Sequence, residues 1–257
     1  MMRSGRQSTL RAALLAAGLL LTAACSAGDG AGKTSTSPAP AATPSAPTPS
    51  NKTAPAKTTA FSEGKQYVRI APAGQPAANG PIVMVEVFSY ACPHCAEFAP
   101  DFDKLRSRLP KDVQIRYMPA VFNQTWEPFA RAFYTAKQLG VLKQTHDALL
   151  QAMLQHYPLN SLDDLADFYA SHGVDRAKFL DAANSPQTTA QLATDQQIEQ
   201  GWGIDATPTL IVGHAQSAAA DAPVAAEYRS ADVASYDELA RLGGWLVKKE
   251  EAQAPAK

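Results

Sequence analysis

The segment Pro81-Ile-Val-Met-Val-Glu-Val-Phe88, with Cys92-Pro-His-Cys95 starting four residues later, constrains this chain more than any other feature. A nearly continuous apolar run of that length is the pattern of a strand covered on both faces. After the second cysteine, Phe98, Phe102 and Leu105 recur at helical spacing across Ala96 to Leu105. Val113 to Met118 then alternates as a second strand. Strand, loop, helix and strand in that order make a parallel unit with two cysteines at the junction of loop and helix.

The remaining sequence extends this unit. Tyr67-Val-Arg-Ile70 reads as a short edge strand ahead of it. Beyond it, four stretches carry helix-compatible patterns with few breakers: Trp126 to Leu139, Leu142 to His156, Leu162 to His172 and Ala177 to Trp202. Strand character returns at Thr207-Pro-Thr-Leu-Ile-Val212 and near Val224 to Tyr228, and Tyr236 to Lys249 closes as an amphipathic helix. The fold class expected is α/β, one sheet domain interrupted by a helical insertion. Trp126, Phe129, Phe133 and Tyr134 lie at helical spacing and read as insertion core rather than as a contact surface; Trp202 is undecided.

The chemistry concentrates on the two cysteines. Two cysteines separated by two residues at a helix start can close a small-ring disulfide, and the helix N-terminus favours negative charge at the first sulfur. Because exchange requires a thiolate, that placement makes Cys92 the exchanging sulfur and Cys95, one turn deeper, the resolving one. A lone C-x-x-C can also bind metal, but a structural zinc site needs four ligands. The chain has no second C-x-x-C and no histidine pair at ligand spacing. A metal- or copper-binding module using Cys92, His94 and Cys95 is the alternative from another class. Glu86 lies inside the apolar strand, where a carboxylate is costly unless paired or protonated; it either faces outward or serves the site. Pro208 opens the strand after the insertion, and a cis bond is confined largely to X–Pro.

Val85-Glu-Val-Phe-Ser-Tyr-Ala-Cys-Pro-His-Cys-Ala-Glu-Phe98 closely resembles the active-site segment of the DsbA-like periplasmic oxidants of the thioredoxin superfamily. Pro93-His94 between the cysteines is that family's choice. The likeness covers about Pro81 to Val212 and extends to the insertion and to Thr207-Pro208. It implies a thioredoxin-like fold and a protein-disulfide oxidase whose only redox group is Cys92–Cys95, with no separate cofactor and no metal. It further implies that His94 tunes the Cys92 thiolate through hydrogen bonding or positive charge, and that Glu86 shuttles the proton of Cys95. Pro208 is expected to be cis and packed against the cysteines, with Thr207 offering its backbone to an extended substrate. Newly exported, unfolded Cys-containing proteins are the implied substrates, and a quinone-linked membrane reoxidase of the DsbB type the implied partner. The same scaffold also carries reductases and isomerases. Isomerases of this class usually carry a dimerisation domain ahead of the redox domain, where this chain has only the tether, which argues against an isomerase; reductases usually lack Pro-His between the cysteines. A monomer is expected.

The N-terminus addresses location. Arg3, Arg6 and Arg11 precede an apolar run from Ala12 to Leu21 and the small residues Thr22, Ala23 and Ala24, the layout of a secretory signal. The run is about half of a membrane-spanning length. Leu21-Thr-Ala-Ala-Cys25 resembles a lipobox, although lipoboxes favour leucine where Thr22 stands. Lipidation of Cys25 would tether the chain to the outer or inner membrane and account for the odd count of three cysteines; ordinary cleavage nearby is the alternative. Ser26 to Ala60 contains no Val, Leu, Ile, Met or aromatic residue and cannot bury enough surface to fold. The expected organisation is residues 1–24 as signal, 25–60 as lipid-attachment cysteine and disordered tether, 61–121 with 203–250 as thioredoxin-like domain, 122–202 as helical insertion, and 251–257 as disordered tail. Ala27 to Thr34 loosely matches a phosphate-binding loop, but no strand precedes it. The net charge of −1 gives no general pull toward nucleic acid.

Overall fold

The computed structural model describes residues 60–71 and 80–253. The expected export signal, Cys25 and the expected tether up to residue 59 lie outside them, as do residues 254–257 of the expected tail.

Five strands form one mixed sheet in the order β1-β5-β4-β2-β3: β1 Tyr67–Arg69, β2 Ile82–Phe88, β3 Gln114–Pro119, β4 Thr209–Ala215 and β5 Val224–Ser230. Only β2 and β3 pair in parallel; β2–β4, β4–β5 and β1–β5 are antiparallel. The helix joining β2 to β3 is α1, Pro93–Arg108. Together these three elements are the parallel unit expected from the sequence.

The near-continuous apolar character of β2 follows from its two buried faces. Val83, Val85 and Val87 face one side with Ile211 and, at its margin, Ile198 and Trp202. Met84 faces the other, among Phe98, Phe102 and Leu105 of α1 and Leu242, Leu246 and Val247 of α7, Tyr236–Gln253. The period-two alternation puts Glu86 between Met84 and Phe88 on the α1 face. Burying Val83, Met84, Val85, Val87 and Phe88, all at most 2% exposed, yields about 1.5–3 kcal/mol each. That sum exceeds the few kcal/mol needed to hide one carboxyl, so the strand tolerates Glu86.

Five helices lie in the chain between β3 and β4: α2 Glu127–Gln138, α3 Leu142–Leu154, α4 Leu162–Ser171, α5 Arg176–Ala183 and α6 Pro186–Trp202. Phe129, Phe133 and Tyr134 are buried in their shared core, and Trp126 packs at its edge. The single helix expected over Ala177 to Trp202 is two. Ser185 caps the second by accepting from the Thr188 N–H, and Pro186 takes its first position. A residue before proline disfavours the helical region, and serine is a strong N-cap, so Ser-Pro ends one helix and starts another. At the far end of α6, Gly203 adopts φ +66 as a left-handed cap. At the chain's end, α7 runs to Gln253, past the 250 expected for the domain.

Where β4 meets β5, the register shifts between Val212 and Gly213. A Cβ at Gly213 would collide with the Ala225 carbonyl oxygen, so this bulge requires glycine.

Candidate active site

The parallel unit delivers Cys92 to the carboxyl end of β2, at the N-cap of α1. The loop before it is held from both sides. The Cys92 N–H donates to the Ser89 carbonyl at 3.1 Å, and the Ala91 N–H donates to Ser89 Oγ at 3.1 Å. Tyr90 is buried and its Oη lies 2.8 Å from His146 Nδ1 on α3. Phe88, Tyr117 and Phe133 surround that imidazole with centroids 4.5–6.4 Å away. Burial pushes His146 down to about 4, so the ring is neutral near pH 7. Both cysteines belong to the core of the helical insertion, alongside Phe88, Tyr90 and Phe133. The site therefore lies where the sheet domain meets the insertion.

Cys92 and Cys95 are free thiols, 5% and 1% exposed. Their acidities diverge. Cys92 is pushed down to about 6, first by a hydrogen bond from the Cys95 thiol, then by Thr207 and the backbone N–H groups of Cys95 and His94, against the opposing effect of burial. The Thr207 carbonyl oxygen accepts from Cys92 Sγ at 3.5 Å. The buried Thr207 hydroxyl has no other partner among the described residues, which leaves it available to a thiolate. Burial pushes the Cys95 thiol well above its ordinary range, and the neighbouring Cys92 and Glu86 add to the rise. A helix start stabilises charge at the capping sulfur and offers little to a sulfur buried one turn in.

Glu86 faces inward and is 4% exposed. Burial pushes its carboxyl up to about 8; Asp103, Asp147 and Cys92 add to this and Arg106 opposes it. Its register partner on β3 is Tyr117, whose hydroxyl accepts from Arg106 at 3.0 Å. No side-chain hydrogen bond engages the Glu86 carboxyl among the described residues. The Thr207–Pro208 bond is cis, and the loop carrying it runs into β4 beside Cys92.

His94 departs from the sequence expectation. Pro93 and His94 form the first turn of α1, and the His94 backbone N–H faces the Cys92 sulfur. The ring does not. Its Nδ1 lies 2.8 Å from Tyr236 Oη and 3.3 Å from Glu97 Oε2, and no hydrogen bond joins the ring to either sulfur among the described residues. The reason is geometric: a side chain at N2 projects outward from the helix, where Glu97 one turn on and the first residue of α7 receive it. Cys92, His94 and Cys95 do not converge as ligands, and no group of three or more His, Cys, Asp or Glu side chains suited to a metal occurs among the described residues.

Tyr90, His146, Glu97 and Tyr236 escaped the sequence reading. Glu97 stands in the quoted motif but carries no signal of its partner; Tyr236 and His146 are brought in from 142 and 52 residues beyond His94 by the fold alone. A cavity of about 850 Å³ opens on the opposite face of the sheet, lined by Arg116, Tyr134, Asp195, Trp202 and Val224 among others, and neither cysteine borders it. Among the described residues no helix is long and apolar enough to cross a membrane.

Comparison with known proteins agrees with this geometry. Residues 70–228 match the family model described as Thioredoxin. A thiol:disulfide interchange protein DsbA of Pseudomonas aeruginosa is 31% identical over 201 residues, spanning 76% of this chain and 88% of its own. The DsbA of Azotobacter vinelandii is 33% identical over 151 residues, 58% of this chain and 70% of its own. The crystal structure of oxidoreductase DsbA from Xylella fastidiosa aligns with a TM-score of 0.64 at 30% identity, covering 75% of this chain and 98% of that one.

Proposed function

This chain belongs to the thioredoxin family, among the DsbA-like thiol:disulfide oxidoreductases, and from that premise we propose how its residues divide the work of donating a disulfide. The oxidised form holds the Cys92–Cys95 bond. A substrate thiolate attacks Cys92 Sγ; the bond to Cys95 breaks, and Cys95 leaves with the electron pair and takes up a proton. A second substrate thiolate then attacks the substrate sulfur of the mixed disulfide. Cys92 leaves as a thiolate, the substrate is oxidised by two electrons, and the enzyme is reduced.

The observation that carries this reading is the divergence of the two thiols. A sulfur held down at about 6 is a good leaving group and stabilises the reduced enzyme, which makes the disulfide oxidising. A sulfur held well above the ordinary range needs a proton as it leaves. Glu86, pushed up to about 8, is protonated at pH 7 and is the donor. Thr207 and Pro208 form the platform for an extended substrate segment, which fits a backbone carbonyl 3.5 Å from the reacting sulfur. Phe122, 42% exposed and stacked on Trp126 at 5.1 Å, follows β3 at the same end of the sheet and offers apolar contact.

Exported Cys-containing proteins are the proposed substrates and a quinone-linked membrane protein of the DsbB type the proposed reoxidant. The site is the periplasm, with the chain held at a membrane by lipid on Cys25 and acting as a monomer. The reading is tested by equilibrating the chain in glutathione buffers and by offering the Cys95→Ser variant a peptide that carries a disulfide, which the Cys92 thiolate attacks, forming a mixed disulfide and releasing the other half of the peptide's disulfide as a thiol. A potential near about −120 mV, with the peptide captured on Cys92, is the expected result; a potential of about −230 mV or lower would identify a reductase instead.

A further inference from the structure

We infer that Tyr236 and Glu97 are positioning residues of the exchange reaction, forming a latch that grips the His94 ring by Nδ1 and withholds it from the Cys92 sulfur. The inference rests on the oxidoreductase reading above and assigns control of the dipeptide ring between the cysteines to a residue outside the motif.

The hydrogen bonding fixes the protons. Tyr236 Oη donates to Glu97 Oε2 at 2.8 Å. A phenol has one proton, so toward His94 Nδ1, also at 2.8 Å, the same oxygen accepts. Nδ1 therefore carries hydrogen, and Glu97 Oε2 at 3.3 Å shares it as a second acceptor. In the neutral ring the other nitrogen, Nε2, is then bare. It has no proton to give a thiolate, and the ring as held makes no hydrogen bond to sulfur.

The latch has a fixed side and a soft side. His94 and Glu97 are exposed, with side chains 68% and 50% accessible, and such a pair alone is worth little. Tyr236 supplies the fixed side. It is the first residue of α7, half-buried, with its ring packed on Phe98 of α1 at 6.0 Å between centroids. Its hydroxyl is held at the lip of the site by packing that does not depend on His94. Removing the hydroxyl alone releases Nδ1 while the ring contact with Phe98 remains. The freed imidazole then reaches the Cys92 thiolate as a donor.

Two measurements on the full chain test this. Nitrogen-15 spectra of the reduced protein, taken at alkaline pH where the imidazole is neutral, should show the His94 ring protonated at Nδ1. This holds whether or not the chain acts as an oxidase; a proton at Nε2 would overturn the latch. In the Tyr236→Phe variant, thiolate absorbance should place the Cys92 titration about one unit lower. The glutathione equilibrium should move about tenfold toward the reduced chain, or about 30 mV more oxidising. Both shifts should vanish when His94→Ala is added. Unchanged values in Tyr236→Phe, or a shift that persists without His94, would overturn the proposal.

Discussion

Replacing Glu86 by Gln separates the acid's chemistry from its packing, because glutamine keeps the shape and cannot ionise. In the reduced folded chain the Glu86 carboxyl is pushed from 4.5 up to about 8. Between those values the folded protein holds a proton that the unfolded chain has released. The unfolded state thus binds fewer protons, and stability falls as pH rises. Stability from this group is full below about pH 4.5 and is lost progressively up to about pH 8. At about 1.36 kcal/mol per unit, the loss is about 3.4 kcal/mol at pH 7 and about 4.5 at pH 8. Urea unfolding of reduced wild type and Glu86→Gln across pH 5 to 8 reads it directly. The variant should gain on wild type by about 1.4 kcal/mol for each pH unit between 5.5 and 7, whatever constant offset its buried amide adds. Cys92 runs the other way: its depressed value makes stability rise with pH between about 6 and 9. Both proteins share that contribution, so it cancels in the difference. A difference that stays flat with pH would mean that Glu86 is not held protonated in the fold, and its role as proton donor to Cys95 would fall with it.

Two further outcomes follow from other buried contacts. His214 is pushed up, first by its 3.0 Å contact to Glu250 Oε2 and also by the Gly80 carbonyl at 3.1 Å. Its stabilisation is therefore full below about pH 6.5 and lost as pH rises through the folded value, so Glu250→Gln should cost about 2 kcal/mol at pH 6 and clearly less at pH 9 by urea midpoint; an equal cost at both would refute the pairing. On α7, a Cβ at Gly243 would lie 2.8 Å from Leu210 Cδ1 and 3.0 Å from Leu105 Cδ2, whereas one at Gly244 meets nothing closer than 3.3 Å. Gly243→Leu should lose about 2–3 kcal/mol by overpacking, while Gly244→Ala should hold or gain up to about 1 kcal/mol from helix propensity; the reverse order in thermal melts would mean that α7 does not press on the sheet at Gly243.

Local sequence carried the strands, the redox helix and most of the insertion, because each depends on periodicity within ten or so residues. The run from Pro81 to Phe88 announces two covered faces, and Cys92 to Cys95 announce a reactive helix start. The α5–α6 break is written in Ser185-Pro186, but the helix-compatible pattern continues across it and hides it. Glu86 could be placed inside a strand but not on a face, since a continuous apolar run gives no alternation to show which side the sheet domain's helices cover. The surroundings of His94 were not legible at all. Its neighbour in the motif, Glu97, is local, but Tyr236 arrives only because α7 packs beside α1 on the same face of the sheet. A ring beside a thiolate in the sequence is thus bound elsewhere in space.

That outcome shifts the source of Cys92's acidity. If the ring supplied the thiolate's stabilisation, any chain lacking a histidine there would lose most of it. Here the contributions come from the Cys95 thiol, Thr207 and the N–H groups of the first helical turn, all of which exist because β2 delivers a helix start against the Thr207-Pro208 loop. Backbone donors cannot be removed by substitution and do not titrate, so their share of the stabilisation persists across the pH range in which the sulfur is a thiolate, above about 6. The same first turn buries Cys95 against Phe88, Tyr90 and the insertion core, where a second charge is unfavourable. One helix end therefore sets both thiols in opposite directions. The side chains of His94, Glu97 and Tyr236 are left to adjust the balance rather than to create it.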